Sequence, residues 1–357
     1  MAPKRISRRR FLGDGALAVG AAGLAAREAM AAEPKMPPKS QILSFDERME
    51  YRRCGKTDQW VSAISLGGHW KRIPYRGDDF QKNRTETVAQ CLDSGINYID
   101  ACCRAEVLAY TKAVKALGRR KQMYMGFSHC GNEPRNRKFR TKKALLGTLD
   151  GLMKEAGLDY VDIWRPTCHE PGGMHTFNTS REIAAAGEAA VKQGKVRFFG
   201  ISSHDRRWHE MMIREFPILS VVLFPYTARS KEKPKDSIFQ TVRDKDIGVF
   251  GIKPFASNSI FKSRTSAPDD THRAADDKSA RMALRYILCN DAITAPIPGL
   301  IFPHHVDNCL KAIEERRKED IAVRPAILDD AEFAQMADGM FNDLPPDYQW
   351  LKNWEWV

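Results

Sequence analysis

The sequence predicts an α/β fold, a parallel (β/α)8 TIM barrel, and three observations carry that prediction. Eight short apolar segments rich in β-formers recur along the chain. The segments between them carry helix-period apolar spacing, as in Leu145, Leu149, Leu152 and Met153. The structural alternative is an open doubly wound sheet. It would place a G-x-G-x-x-G turn after its first strand, where this chain has only Gly67-Gly68.

Residues 1–31 read as a leader. Ser7-Arg8-Arg9-Arg10-Phe11-Leu12 matches the twin-arginine export motif, the weakly apolar run Gly15–Ala26 follows, and Ala29-Met30-Ala31 offers a cleavage site. The expectation is a twin-arginine signal peptide, recognition by the twin-arginine export machinery, and a periplasmic or other extracytoplasmic protein. That route carries folded proteins, and the resemblance implies loading of a cofactor or a metal before export. Residues 32–48, polar and containing Pro34, Pro37 and Pro38, read as a linker. No later stretch reaches the length of a membrane span, so no stable span is expected in the mature chain.

The barrel is assigned to residues 49–326. Met49–Arg53 and Trp60–Val61, separated by Gly55-Lys56-Thr57-Asp58, form a small hairpin. The eight strands are placed at Ala63–Leu66, Asn97–Ile99, Gln122–Phe127, Tyr160–Trp164, Val196–Ile201, Val221–Phe224, Gly248–Ile252 and Ile293–Ile297. The stretch Leu158–Pro171 organises the rest. It is a buried strand closed by Pro166, which should end ladder pairing, followed by the polar tip Thr167-Cys168-His169-Glu170 at the strand's carboxyl end. In such barrels the chemistry sits at that end. Ser259–Ser279, long and charged, reads as a mobile flap. Residues 327–357 hold a helix, Asp329–Asp338, and an aromatic tail with Tyr348, Trp350, Trp354 and Trp356. These four pack on the barrel wall or form part of a ligand wall.

Of the 357 residues, 43% are hydrophobic, ample for one large core, and the net charge is +12. The leader carries six basic and two acidic side chains, so the remainder is +8. That balance suits a basic surface or an anionic small ligand. No nucleic-acid-binding module is present, so no nucleic-acid partner is expected. The eight cysteines form no C-x-x-C pair, which argues against a zinc ribbon or an iron–sulfur cluster.

From Met49 to about Ala312 the chain resembles the aldo-keto reductases. Met49-Glu-Tyr-Arg-Arg-Cys-Gly-Lys-Thr-Asp is similar to the family's opening hairpin. Ile64-Ser-Leu-Gly-Gly, Gly95-Ile-Asn-Tyr-Ile-Asp100, Leu158-Asp-Tyr-Val-Asp-Ile, Gly194-Lys-Val-Arg-Phe-Phe-Gly-Ile-Ser-Ser203 and Ala295-Pro-Ile-Pro-Gly299 are similar to its strands. The resemblance implies NADP or NAD as cofactor and reduction of a small carbonyl or sugar-like substrate. It implies Asp100 as a catalytic carboxylate. It also implies a cofactor site made of Ser202 and Ser203 (the amide), Tyr226 (stacked on the nicotinamide), Lys253 (pyrophosphate), and Gly299 and His305 around the adenosine phosphate. His304 and His305 stand where the family clamps a 2′-phosphate with Lys or Arg.

The chain departs from the family pattern at the acid catalyst. After Asp100 it reads Ala101-Cys-Cys-Arg-Ala-Glu106, with no Tyr at the family's spacing. Gly126-Phe-Ser-His-Cys130 has no Lys, and Thr167 aligns with the family's His. The strand ends carry His69, Cys102, Cys103, His129, Cys130, Cys168, His169, His204 and Asp205 instead. Three readings stand side by side. His129 or His169 is the general acid. Several of these residues ligate a metal that polarises the substrate. Or they line a pocket as small hydrophobes or disulfides. The rival in function is a reductase-derived barrel that binds a sugar or anion without hydride transfer, or acts through a metal.

Overall fold

The structure, a computed structural model, describes residues 35–68, 73–169, 175–263, 267–318 and 325–357. The predicted signal peptide, the start of the linker, His69 and the Glu170–Pro171 end of the central stretch lie outside the described residues.

Residues 39–357 form one compact unit. It opens on an antiparallel hairpin, β1 (Tyr51–Arg53) and β2 (Trp60–Ser62), paired Tyr51↔Ser62 and Arg53↔Trp60. The parallel strands follow with helices between them. They are β3 (Leu66–Gly67), α1 (Gly77–Asp93), β4 (Tyr98–Ala101), α2 (Arg104–Ala116), β5 (Tyr124–Phe127), α3 (Lys142–Ala156), β6 (Val161–Trp164) and α4 (Phe177–Lys192). Then come β7 (Val196–Ser202), α5 (Arg206–Glu215), β8 (Leu219–Pro225), α6 (Ile238–Asp244), β9 (Gly248–Ile252), α7 (Arg273–Ile287), β10 (Ala295–Ile297) and α8 (Pro303–Arg317). The eight strands β3 to β10 pair in sequence order. The ring closes where Ser65 N–H donates to Pro296 O (3.1 Å) and Gly67 N–H to Pro298 O (2.9 Å). This is the expected parallel barrel, with every predicted strand within a few residues of its place.

Two apolar layers hold it. Side chains alternate along each strand. One set fills the barrel: Tyr98, Ile163, Val221, Leu223, Phe250, Ala295 and Ile297. The other set, with Ile99, Phe127, Trp164, Val222 and Phe224, packs under the helices. Inside, Tyr98 stacks on Phe250 with centroids 4.2 Å apart, worth about 0.5–1.5 kcal/mol beyond the buried area. The hairpin plugs the amino-terminal end by sending Cys54 and Val61 into the inner layer. Arg52 pins it there through Ile293 O (2.8 Å) and Leu288 O (2.7 Å). With one end plugged, ligand access is left to the opposite end.

Two expectations are corrected. Pro166 does not end pairing on β6. Its carbonyl accepts from Ser202 N–H (3.0 Å), and Cys168 N–H then donates to Ser202 O (2.7 Å). Proline removes a donor but keeps its acceptor, so the ladder resumes one residue later. The flap is shorter than Ser259–Ser279, because Arg273–Ser279 is the start of α7. That helix buries Met282, Ala283, Leu284 and Ile287. Its Asp276 carboxylate ties the loop down by accepting from the N–H groups of Lys262 and Ser263 (both 2.8 Å).

The tail holds α9 (Ala331–Gly339), capped by Asp330, and a 3-10 stretch, Pro346–Trp354. Its aromatics do both expected jobs. Trp354 is buried and stacked on Phe224 (5.6 Å), whereas Tyr348 reaches the mouth of the barrel.

Candidate active site

A cavity of about 440 Å³ opens at the carboxyl ends of the strands. Asp100 and Arg165 lie in its lining, both almost fully buried. Arg165 Nε donates to Asp100 Oδ1 (2.8 Å) and Nη2 to Oδ2 (2.5 Å), a two-pronged ion pair. Arg165 follows β6 and Asp100 ends β4, so the guanidinium spans the intervening β5. It can do so because β5 contributes Gly126 there. A Cβ on Gly126 would lie 2.1 Å from Tyr98 Oη and 3.0 Å from Asp100 Oδ1. Burial raises the Asp100 pKa from the ordinary carboxylate value, and the Arg165 charge and hydrogen bonds oppose it. For Arg165, burial works against the charge, but Asp100, Cys102 and Tyr98 outweigh it and raise its pKa. We take both groups as ionised, given the short paired contacts.

A second carboxylate organises the rim. Buried Glu133 accepts from Ser128 Oγ (2.5 Å) and from the N–H groups of His129 (2.8 Å), Cys130 (2.9 Å) and Thr167 (2.7 Å). It fixes the ends of β5 and β6 to each other. A third, Glu106 in the first turn of α2, lines the cavity with Cys102. Its Oε2 accepts from Cys102 N–H (2.8 Å), while Oε1 is buried and makes no hydrogen bond of normal geometry among the described residues. Burial raises the Glu106 pKa.

One wall is aromatic. His169 stacks on His204 (centroids 4.5 Å) and His204 on Trp350 of the tail (4.0 Å). Burial first, then the charges of Arg135 and Lys253, push His169 down to about 4. Burial first, then His169 and Lys253, push His204 down to about 2. Both rings are therefore neutral at pH 7. The fourth side is the loop after β9, in which Lys253, Ala256, Ser257 and Asn258 all have positive φ. Such a run in non-glycine residues costs about 1–3 kcal/mol per residue, and strain of this kind clusters at ligand sites. Lys253 Nζ sits 5.2 Å from the Tyr348 ring centre.

Between α7 and α8 lies a groove lined by Arg273, Asp277, His304 and Asn308, among others. Phe255, Asn258 and Gly299 line both groove and cavity. An elongated ligand can thus run from the barrel centre to the helix layer.

The structure brings Asp100, His169, Ser202, Lys253 and Gly299 to the cavity. His305 lines the groove, where its Nδ1 accepts from Ile301 N–H (3.1 Å) at the start of α8. Three expected residues lie elsewhere. His129 faces a separate surface depression with Arg104, Asn132 and Glu155. Ser203 is buried, its Oγ accepting from Asp205 N–H (3.2 Å). Tyr226 packs edge-on to Phe239 (5.5 Å) and accepts from Asn290 Nδ2 (3.2 Å), outside the barrel wall. The reason is common to all three. Each sits on the outward phase of its strand's alternation, with Phe127, Ile201 and Phe224 respectively. The same alternation, run past the strand end, would have found Arg165 two residues after the inward Ile163.

Buried His209 on α5 sets a pH dependence. Its Nε2 pairs with Ser203 O (3.3 Å), and burial lowers its pKa to about 4. The unfolded chain takes up this proton near pH 6.5, the folded chain only near 4. Stability is therefore complete above pH 6.5 and falls as pH drops through that window. Urea unfolding at pH 7 and 4.5 is expected to differ by about 2–3 kcal/mol more in the parent than in His209→Gln. Equal differences would exclude His209 as the source.

A parallel eight-stranded barrel with a large cavity at the carboxyl ends, an acid near the end of its second barrel strand and a groove leading outward defines the (β/α)8-barrel class. Residues 63–323 match the family model described as aldo/keto reductase family, and the chain belongs to that family. It is 24% identical over 268 residues to L-glyceraldehyde 3-phosphate reductase of Escherichia coli (strain K12), covering 66% of this chain and 70% of that one. It is 22% identical over 290 residues to L-galactose dehydrogenase of Arabidopsis thaliana, covering 75% and 89%. Among solved structures, the holo form of the aldo-keto reductase AKR11C1 from Bacillus halodurans superposes with a TM-score of 0.61. There, identity is 16% and coverage 84% of this chain and 99% of that one. Aldo-keto reductases generally use NAD(P)H. No helix among the described residues is long and apolar enough to cross a membrane.

Proposed function

We propose that the protein reduces a small carbonyl or sugar-like substrate with a nicotinamide dinucleotide, and that it takes NAD(H) in preference to NADP(H). The observation that carries this is the continuity of cavity and groove through Phe255, Asn258 and Gly299. It suits a two-headed ligand, which Ser202 and Lys253 would help to hold in the cavity beside Asp100 and Arg165. The bound nicotinamide supplies the hydride. Lys253 meets the pyrophosphate as a point charge, and the Ser202 hydroxyl orients the ring. Arg165 presents a fixed positive charge where the substrate oxygen gains electron density. His169, neutral at pH 7, orients the substrate through its ring N–H, and the proton that turns the alkoxide into the alcohol comes from solvent water entering the open mouth of the cavity.

The NAD preference rests on the groove's charges. Asp270, Asp276 and Asp277 line it, and Arg273 is turned to Asp277 (3.6 Å) and to Pro268 O (2.9 Å). Burial first, then Arg273, lower the His304 pKa. A 2′-phosphate meets carboxylates there, and a ribose diol meets acceptors. Fluorescence titration is expected to give micromolar binding of NADH, roughly −8 kcal/mol, and NADPH binding at least tenfold weaker. No binding of either up to millimolar would end the reductase reading, and tighter NADPH would reverse the preference. Export through the twin-arginine machinery to an extracytoplasmic compartment, supported by the Ser7–Leu12 motif, is part of the same proposal.

A further inference from the structure

The Cys102, Cys103 and Glu106 side chains make a cluster that the reductase reading does not use. Their ligand atoms, two Sγ and one carboxylate oxygen, all lie within 4.8 Å of one another. A tetrahedral zinc ion with bonds of about 2.3 Å to sulfur and about 2.1 Å to oxygen sets its ligands roughly 3.5–3.8 Å apart. The cluster is therefore pre-assembled to within a small contraction.

A second, independent observation concerns Glu106. It is buried, and its two oxygens are in different states. Oε2 is held by Cys102 N–H (2.8 Å), which orients the carboxylate. Oε1 makes no hydrogen bond of normal geometry among the described residues, although the Cys102 thiol lies close enough to act on the carboxylate. A buried carboxylate oxygen so poorly satisfied costs about 1–3 kcal/mol or more, a cost that a proton or a bound cation relieves. Gly68 makes the space: a Cβ there would meet Glu106 Oε1 at van der Waals overlap, 1.7 Å away. Arg165 acts electrostatically on both Cys102 and Glu106, offsetting part of the negative charge that bound thiolates would add.

We propose that Cys102, Cys103 and Glu106 form a three-ligand site for a thiophilic divalent metal of the zinc class. Two thiolates and one carboxylate select such an ion over magnesium or calcium. Three protein ligands leave one position open, the pattern of exchangeable zinc sites. Cys102 and Glu106 both line the cavity, so the open position faces it, and an oxygen of a small ligand can enter there. The identity of that oxygen as a substrate carbonyl rests on the reductase reading. The metal site itself does not.

The test uses the full chain, stripped with a chelator and titrated with zinc alone, then with cobalt. One equivalent of zinc is expected to bind at micromolar or lower concentration. Cobalt should give a thiolate-to-metal charge-transfer band. Cys103→Ser and Glu106→Gln should each weaken zinc at least tenfold while melting cooperatively, and zinc should raise the melting temperature of the parent but not of Cys103→Ser. Cys130→Ser, a cysteine in the same cavity, should bind as the parent does. Absence of zinc binding at millimolar metal, or equal loss in Cys130→Ser, or no loss in Cys103→Ser and Glu106→Gln, overturns the site. Zinc binding in a protein that fails to bind NADH would leave the metal site standing and remove the reductase reading. NADH binding without zinc would do the reverse.

Discussion

Replacing Arg165 with Met is expected to lower the unfolding free energy by about 3–5 kcal/mol, because it leaves a buried carboxylate without its cation. Asp100 and Arg165 are 4% and 2% exposed, and both hydrogen bonds between them are short. Water cannot take over the partner's role at that depth. The double replacement Asp100→Asn with Arg165→Met removes both charges and should recover most of the loss. Urea unfolding of the parent, the two single variants and the double variant measures the coupling between them. Single-variant losses that simply add would show that the pair is not coupled. The cost of the pair also explains why it belongs at a functional site. An apolar pair of equal volume would hold the barrel as well or better, so the charges earn their place through what they present to the cavity.

Lys253→Glu is expected to weaken NADH binding by about 100-fold, roughly 2.7 kcal/mol. The change replaces attraction for the pyrophosphate by repulsion, at a cavity-lining position where charges interact more strongly than in bulk water. Lys253→Met, which keeps the stem over the Tyr348 ring, should fall between. The loop's conformation is set by its backbone, with Lys253 at φ 61°, so neither variant need rebuild it. Titration at low and high salt separates charge from shape, since only the charge contribution fades as salt rises. Equal affinity in Lys253→Glu and the parent would move the pyrophosphate away from this loop.

The barrel was legible because buried parallel strands leave a strong mark, a short apolar run with a helix pattern behind it. The eight strand positions follow from that alone. Asp100 came from the resemblance of Gly95–Asp100 to a family strand, and the structure places it in the cavity. Arg165 was not legible. Just before Pro166 it looks like the polar end of a strand, and only the inward phase of Ile163 marks it as pointing into the barrel. Glu106 was hidden by a familiar pattern, since an acid in a helix's first turn normally serves the helix dipole. His129 lies away from the cavity. It follows Phe127 by two and shares its outward phase, and Glu133 turns the chain there by taking the N–H groups of His129 and Cys130. Glu133 itself, six residues past β5, carried no period to follow.

The aromatic wall has a consequence for the order in which the molecule matures. His169 and His204 come from the middle of the chain, whereas Trp350 and Tyr348 lie within its last ten residues. The stack that joins them spans contacts of very long sequence separation, the kind that form late because loop closure must precede them. All eight barrel strands precede the Tyr348–Trp350 segment, so they can assemble with this side of the mouth still open. Ligand recognition is thus deferred until the Tyr348–Trp350 segment has been made and has docked on the barrel.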